Sequence, residues 1–259
     1  MQKQAKAFIG NTYLIYTFGL IFVFGLWFLF AYVIGHGNYY FPSPIETFQK
    51  MGELLTSSYI YKGMGWTLLR TFIGFISALL VALILGTISG HYKKVYLFLK
   101  PTMLVLKSIP TAALVFLFLV LSGSRFAPIY IVFLLSFPIL YESIAGGMQN
   151  ISQDINDSIK LDSNNFFMTV FKIKLPLALP YLIIGLTSSF ALSLKTEIMA
   201  EIITGDTNYG LGCAISAYRI MDPTDLTPIF AIAFIALVFI LIIDLIGMII
   251  KRFIKIDVN

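Results

Sequence analysis

Residues 149–176, QNISQDINDSIKLDSNNFFMTVFKIKLP, form a polar interval between two long apolar runs, and their reading decides the fold. The flanking runs, 127–148 and 177–203, each match the roughly 20 residues a helix needs to cross a hydrocarbon core of about 30 Å. Working outward, the same pattern predicts further spans at 12–35, 64–90, 96–121 and 227–250. The expected fold is therefore all-α: a polytopic membrane protein with six transmembrane helices, one domain over residues 1–259, and the 149–176 interval as a loop within it.

Composition agrees. Hydrophobic residues make up 58% of the chain and charged residues 12%, about half the roughly 25% charge of soluble domains. Such a chain cannot cover itself with water-facing groups, so the lipid bilayer is its main solvent. The net charge of +5 does not indicate a nucleic-acid partner, because no Lys/Arg cluster interleaved with aromatics forms a phosphate-binding surface. The single Cys213 allows no intramolecular disulfide and no metal-ligand spacing. His36 and His91 fall near span ends, where a solvated or interfacial role is the default. The basic start MQKQAK resembles a signal-peptide n-region, but the run at 12–35 is too long for an h-region and reads as a retained span.

Basic residues outside the spans orient the chain. With the N-terminus inside, Lys3, Lys6, Lys93, Lys94, Lys160, Lys172, Lys174, Lys251, Arg252 and Lys255 face the cytoplasm. Only Lys50, Lys62, Arg125 and Arg219 lie outside. Both termini are expected to be cytoplasmic, and 149–176 is then a cytoplasmic loop. Outside, FPSPIETFQKMGELL predicts an amphipathic helix starting near Ser43 and carrying Ile45, Phe48, Met51 and Leu55. The third span is interrupted by Lys100-Pro101 and Lys107-Ser108-Ile109-Pro110, which predicts two shorter pieces.

Within the loop, Asp154 is placed to cap a helix through Ile155, Ile159 and Lys160. Ser163 or Asn164 is placed to cap a second short helix holding Phe166, Phe167, Val170 and Phe171. Three phenylalanines in a cytoplasmic loop need cover. They can pack on the protein's own inner surface, rest at the membrane interface or dock into a partner, and the residues alone leave this open.

Charges within spans are costly, at least ~2.5 kcal/mol each on insertion scales. Lys107, Glu142, Lys195, Glu197, Glu201 and Asp244 qualify. Glu197 and Glu201 share a helix face and repel, so they need a cation nearby or a proton. Lys195 lies on another face, so the partner must come from another span or a second copy. Arg70 reads as snorkelling or paired, Gly86 and Gly90 as a small-xxx-small packing pair, and Gly210 and Gly212 as a tight turn.

The loop is similar to the signature of binding-protein-dependent ABC importer permeases: Glu-Ala-Ala, three residues, Gly, nine residues, Ile-x-Leu-Pro. Here that spacing holds Asp157-Ser158-Ile159, Ser163 and Ile173-Lys174-Leu175-Pro176, preceded by Gly147-Met148-Gln149-Asn150-Ile151. Asp stands for Glu, Ser and Ile for the two alanines, and Ser for Gly. Four further stretches resemble the nitrate/sulfonate/taurine-type subclass. They are Phe41-Pro42-Ser43-Pro44, Thr67-x-x-Arg70-x-x-x-Gly74-Phe75, Lys107-Ser108-Ile109-Pro110, and Ala200-Glu201 followed by Gly210-Leu211-Gly212.

The resemblance implies a type I ABC importer permease fold in a bacterial inner (plasma) membrane. It implies a coupling helix that seats in an ATP-binding subunit, with Asp157, Ser158, Ser163, Asn164, Phe166, Phe167, Val170 and Pro176 as coupling residues. It also implies two ATPase subunits, an extracytoplasmic substrate-binding protein and a second permease copy, most simply a homodimer. Lys107, Ser108, Glu142, Lys195, Glu197 and Glu201 are the pathway candidates. Lys107 and Lys195 in the pathway would suit a small sulfonate-, nitrate- or taurine-like anion; vitamin precursors are the other substrate class in such relatives. No Gly-x4-Gly-Lys phosphate loop is present, so no cofactor is expected on this chain, and ATP with Mg belongs to the partner ATPase. Two other classes compete. An intramembrane enzyme would need a tight catalytic constellation, which the two distant histidines do not supply. A proton-coupled secondary transporter or channel could use Glu197, Glu201 and Asp244. It would not explain the patterned loop, and no internal repeat of inverted halves is visible.

Overall fold

The computed structural model describes residues 2–35, 41–162, 165–205 and 209–253, with side chains at 14–34, 41–156, 158, 165–205 and 209–249. Among the described residues every regular element is helical: α1 (Gln2–Gly35), α2 (Pro44–Leu55), α3 (Ser58–His91), α4 (Lys93–Ser108), α5 (Thr111–Gln149), α6 (Gln153–Asp162), a π-helical turn (Met168–Lys174) running into α7 (Leu175–Thr204), α8 (Leu211–Met221) and α9 (Thr227–Phe253). Two compact units form, Met1–Ser58 with Ala217–Ile235, and Tyr59–Ser216 with Ala236–Asn259.

In the first unit, α2 begins where Pro-Ser-Pro predicts. Ser43 is extended (φ −70°, ψ 157°), and its hydroxyl accepts from the Glu46 amide while Glu46 Oε2 accepts from the Ser43 amide at 2.8 Å. This capping box satisfies two orphan donors, and Pro44 at the first helical position gives up none that the helix needs. The expected apolar face is only partly covered. Phe48 meets the rings of Phe24, Trp27 and Phe234, but Ile45 is exposed and the buried residues are Pro44, Thr47 and Leu54.

The second unit is built on α3, α5 and α7. An added Cβ at Gly86 would lie 2.9 Å from Ile144 Cβ, and one at Gly90 would lie 2.6 Å from Met148 Sδ. The small-xxx-small pair is thus a close α3–α5 contact. The core gathers Phe75, Ala78, Ala82, Met103, Leu140, Tyr141, Ile144, Met148, Val170 and Ala178.

Among the described residues five helices are long and apolar enough to cross a membrane, and the sixth pass comes from α5, which doubles back. Gly123 has φ 75° and ψ 169°, a region essentially restricted to glycine. Phe118 and Tyr130 stack with ring centroids 5.6 Å apart, whereas twelve positions along a straight helix would separate them by about 18 Å. The chain therefore reverses between the predicted spans 96–121 and 127–148. The third pass is two pieces, α4 and the first arm of α5, joined by extended Ile109 (φ −70°, ψ 128°) and Pro110 (φ −58°, ψ 122°). Pro101 does not break the helix as expected; it sits inside α4.

The polar interval differs from expectation in two ways. Helix α6 starts at Gln153, with the Ser152 carbonyl accepting from Asn156, so Asp154 lies in the first turn and is not the cap. The second helix is not short. Asn165 Oδ1 accepts from the Phe167 amide at 3.1 Å, and the helix then runs through the π-helical turn into α7 without a break before Pro176. In that turn the Leu175 amide bonds to the Val170 carbonyl five residues back, and Pro176, which has no N–H to donate, follows directly on that turn inside the continuous helix. Ser163 and Asn164, the expected caps, lie outside the described residues.

Candidate coupling segment and intramembrane charge sites

The segment from Phe166 to Lys174 presents two faces. Thr169 and Val170 are buried and Val170 joins the core, so Val170 is an anchor and offers no surface. On the other side Phe167 is 70% and Phe171 51% exposed, and their rings stack at 6.1 Å with an interplanar angle of 13°. Phe166 is half-buried, stacked on Tyr92 and edge-on to His91. Ser158 bonds back to the Asp154 carbonyl at 2.9 Å, and Pro176 is exposed. Asp157 lies in α6, but its side chain is outside the described ones.

Length explains how this segment can leave the bilayer. Met168–Thr204 is 37 residues, about 55 Å of helix against a core of roughly 30 Å. The surplus is several turns, and Lys172 and Lys174 mark the end carrying the phenylalanines.

A second cluster sits at the other end of α7. Glu201 is fully buried and accepts from Thr67 Oγ1 (2.9 Å), Arg70 Nη1 (3.1 Å) and the Gly212 amide (2.9 Å). Thr67 Oγ1 also accepts from the Leu211 amide at 2.9 Å, and Arg70 donates to the Tyr209 carbonyl at 2.9 Å. The first amides of α8, orphaned by helix geometry, are thus capped by a carboxylate and a hydroxyl from distant elements. The partner of Glu201 comes from another span, one of the sources that the sequence left open. Gly210 and Gly212 act through close approach: neither has positive φ, and a Cβ on either would meet Glu201. Thr67 has a role that its residue type did not announce. Its three-residue spacing from Arg70 puts both on one helix face, the signal available in sequence.

Glu197, one turn before Glu201, is fully buried with no hydrogen-bond partner for either oxygen among the described residues. Lys195 is exposed and faces away from both. Lys107 and Glu142 form an ion pair bridging α4 and α5, with side chains 35% and 39% exposed. Ser108 beside them is exposed, its hydroxyl bonded to the Leu104 carbonyl at 2.8 Å. Asp244 on α9 lines an apolar groove with Phe75, Ile183, Thr187, Phe190 and Gly247.

Comparison with known proteins fits this geometry. The chain is 29% identical over 224 residues to the nitrate import permease protein NrtB of Leptolyngbya laminosa, covering 81% of this chain and 77% of the relative. It is 29% identical over 175 residues to the bicarbonate transport system permease protein CmpB of Synechococcus elongatus, covering 62% of this chain and 63% of that protein. Among solved structures, the MetNI methionine ABC transporter in inward-facing conformations superposes with a TM-score of 0.65 at 17% identity, over 76% of this chain and 97% of that one. An amino acid ABC transporter gives a TM-score of 0.64 at 18% identity, over 78% and 96%. These superpositions show the type I importer permease fold. Residues 78–256 match the family described as "Binding-protein-dependent transport system inner membrane component", and the chain belongs to that family.

Proposed function

We propose that this chain couples a separate ATPase to solute movement through the segment 153–176. The observation that carries this reading is the exposed Phe167–Phe171 stack on a helix whose opposite side is locked into the core by Val170. Exposed stacked aromatics on a rigid support have the character of an interface anchor, and rigid anchoring lets a push on the segment reach α7 directly. ATP and Mg are then bound by two partner ATPase subunits, whose closure moves the segment and alternates access to the pathway. A second permease copy, most simply an identical one, completes the pathway, and an extracytoplasmic binding protein delivers the solute. The basic-residue asymmetry supports cytoplasmic termini, and six passes put both ends on one side.

The substrate we infer is a small anion, inorganic or an organic sulfonate. Relatives named for nitrate, aliphatic sulfonate and bicarbonate transport support this. Charge counting adds less, because Lys107 is neutralised by Glu142 within the chain. Phe167→Glu, which charges the docking face, tests the coupling. The variant is expected to insert normally and to lose co-purification of the ATPase subunit. Unchanged co-purification would refute the assignment.

A further inference from the structure

We propose that the helix break at Ser108–Pro110 and the Lys107–Glu142 pair beside it form an anion-contacting wall of the pathway. In this arrangement Glu142 occupies Lys107 until a small oxyanion takes its place. The inference rests on the importer reading and assigns its substrate contact.

Three features of one face lead to it. First, the Lys107–Glu142 pair joins α4 to α5 with over a third of each side chain exposed. Exposed on that face in a bilayer, an ion pair would meet hydrocarbon, where charges are tolerated only toward protein or a wet cavity. Second, Ile109 and Pro110 are both extended, and Pro110 has no N–H to return to the Leu106 carbonyl. Irregular backbone at membrane depth occurs only where it is buried in protein or lines water, and here Ser108 and Pro110 are exposed. Third, the break leaves Lys107 as the one cation in the last turn of α4, where the carbonyls of a helix C-terminus favour its charge and hold it at the break.

A cation held by one exposed carboxylate suits exchange. The ammonium has three donors, the pair is not sealed, and a planar oxyanion offers Lys107 the acceptors it loses from Glu142. The Ser108 hydroxyl is adjacent. Arg70–Glu201 is the contrasting case: that pair is buried and further bonded to Thr67 and Gly212, so it has no room to exchange. The matching wall across the pathway comes from the second copy, without which this face stays open.

Thiol labelling in membrane vesicles carrying the full chain tests the proposal and does not depend on the ATPase. Cys213 is the only native cysteine and is buried, so the background is silent. Ser108→Cys is expected to react with a water-soluble anionic methanethiosulfonate, while Ile84→Cys, 62% exposed on α3, reacts only with a membrane-soluble maleimide. Nitrate or bicarbonate should slow the Ser108→Cys reaction relative to gluconate at equal ionic strength, and Lys107→Gln should remove that protection. Glu142→Gln should raise the anionic-over-cationic reagent rate ratio about threefold or more, the effect of one nearby charge in a wet site. Two results would overturn the proposal: Ser108→Cys behaving like Ile84→Cys, or labelling that neither anion slows. Because labelling is read without ATP, failure here and loss of ATPase coupling are separate outcomes.

Discussion

Replacing Arg70 by methionine removes the one cation among the described residues that touches Glu201, and the structure sets the expected cost. The Arg70 side chain is 8% exposed and the Glu201 side chain 0%, with nitrogen and oxygen 3.1 Å apart. At an effective dielectric of about 20, a pair at that distance attracts by about 5 kcal/mol. Removing one partner of a buried pair typically costs about 3–5 kcal/mol, because the other charge is left uncompensated. Here the remaining carboxylate would also lie one turn from Glu197, itself fully buried, so the upper part of that range applies. The loss corresponds to roughly 10²–10⁴-fold in the folded-to-unfolded ratio. Equilibrium unfolding in mixed micelles with increasing SDS, followed by helical circular dichroism, measures it. The double variant Arg70→Met/Glu201→Gln keeps an acceptor for Thr67 and Gly212 while removing the stranded charge, and should recover at least half of the loss. An Arg70→Met variant within about 1 kcal/mol of the native protein would refute the reasoning. So would a double variant that loses the sum of the two single effects.

Gly123→Ala places a Cβ on a backbone with φ 75° and ψ 169°, which should cost about 1–3 kcal/mol. The same unfolding assay reads this, and a loss below about 0.5 kcal/mol would mean that α5 does not need glycine to reverse. Between α8 and α9, Asp222 accepts from the Thr224 hydroxyl (2.6 Å) and amide (2.9 Å) and from the Asp225 amide (3.3 Å). These bonds hold its carboxyl below the ordinary value of 3.8. A lowered folded value means the turn's stabilisation is present above the unfolded value and lost as pH falls through the folded one. Hydrogen exchange at Thr224 and Asp225 should therefore be unchanged from pH 7 to 4.5 and accelerate only below about 3.8, beyond the intrinsic pH dependence of exchange. Acceleration already at pH 5 would contradict the bonding.

Much of the architecture was legible from residues 149–176 and the runs beside them, because lipid allows few solutions to an apolar chain. Hydropathy and length determine how many times the chain crosses, and the Pro-Ser-Pro stretch determines where α2 starts, since its capping box is local chemistry. That Glu197 and Glu201 need a cation or a proton was equally visible, as was the close packing of Gly86 and Gly90. Tertiary structure alone decided which cation answers: Arg70 lies 131 positions before Glu201, and no local pattern encodes that distance. It also decided that Gly210 and Gly212 make room for a carboxylate rather than for a turn, and that Val170 faces inward while Phe167 and Phe171 face out. A π-helical turn shifts the rotational phase of every residue in it, so a 3.6-residue reading of that segment could not assign its faces. The physical reason is common to these cases. Burial in lipid and capping act over one helix turn or one run, whereas charge pairing and side-chain facing depend on which helices meet.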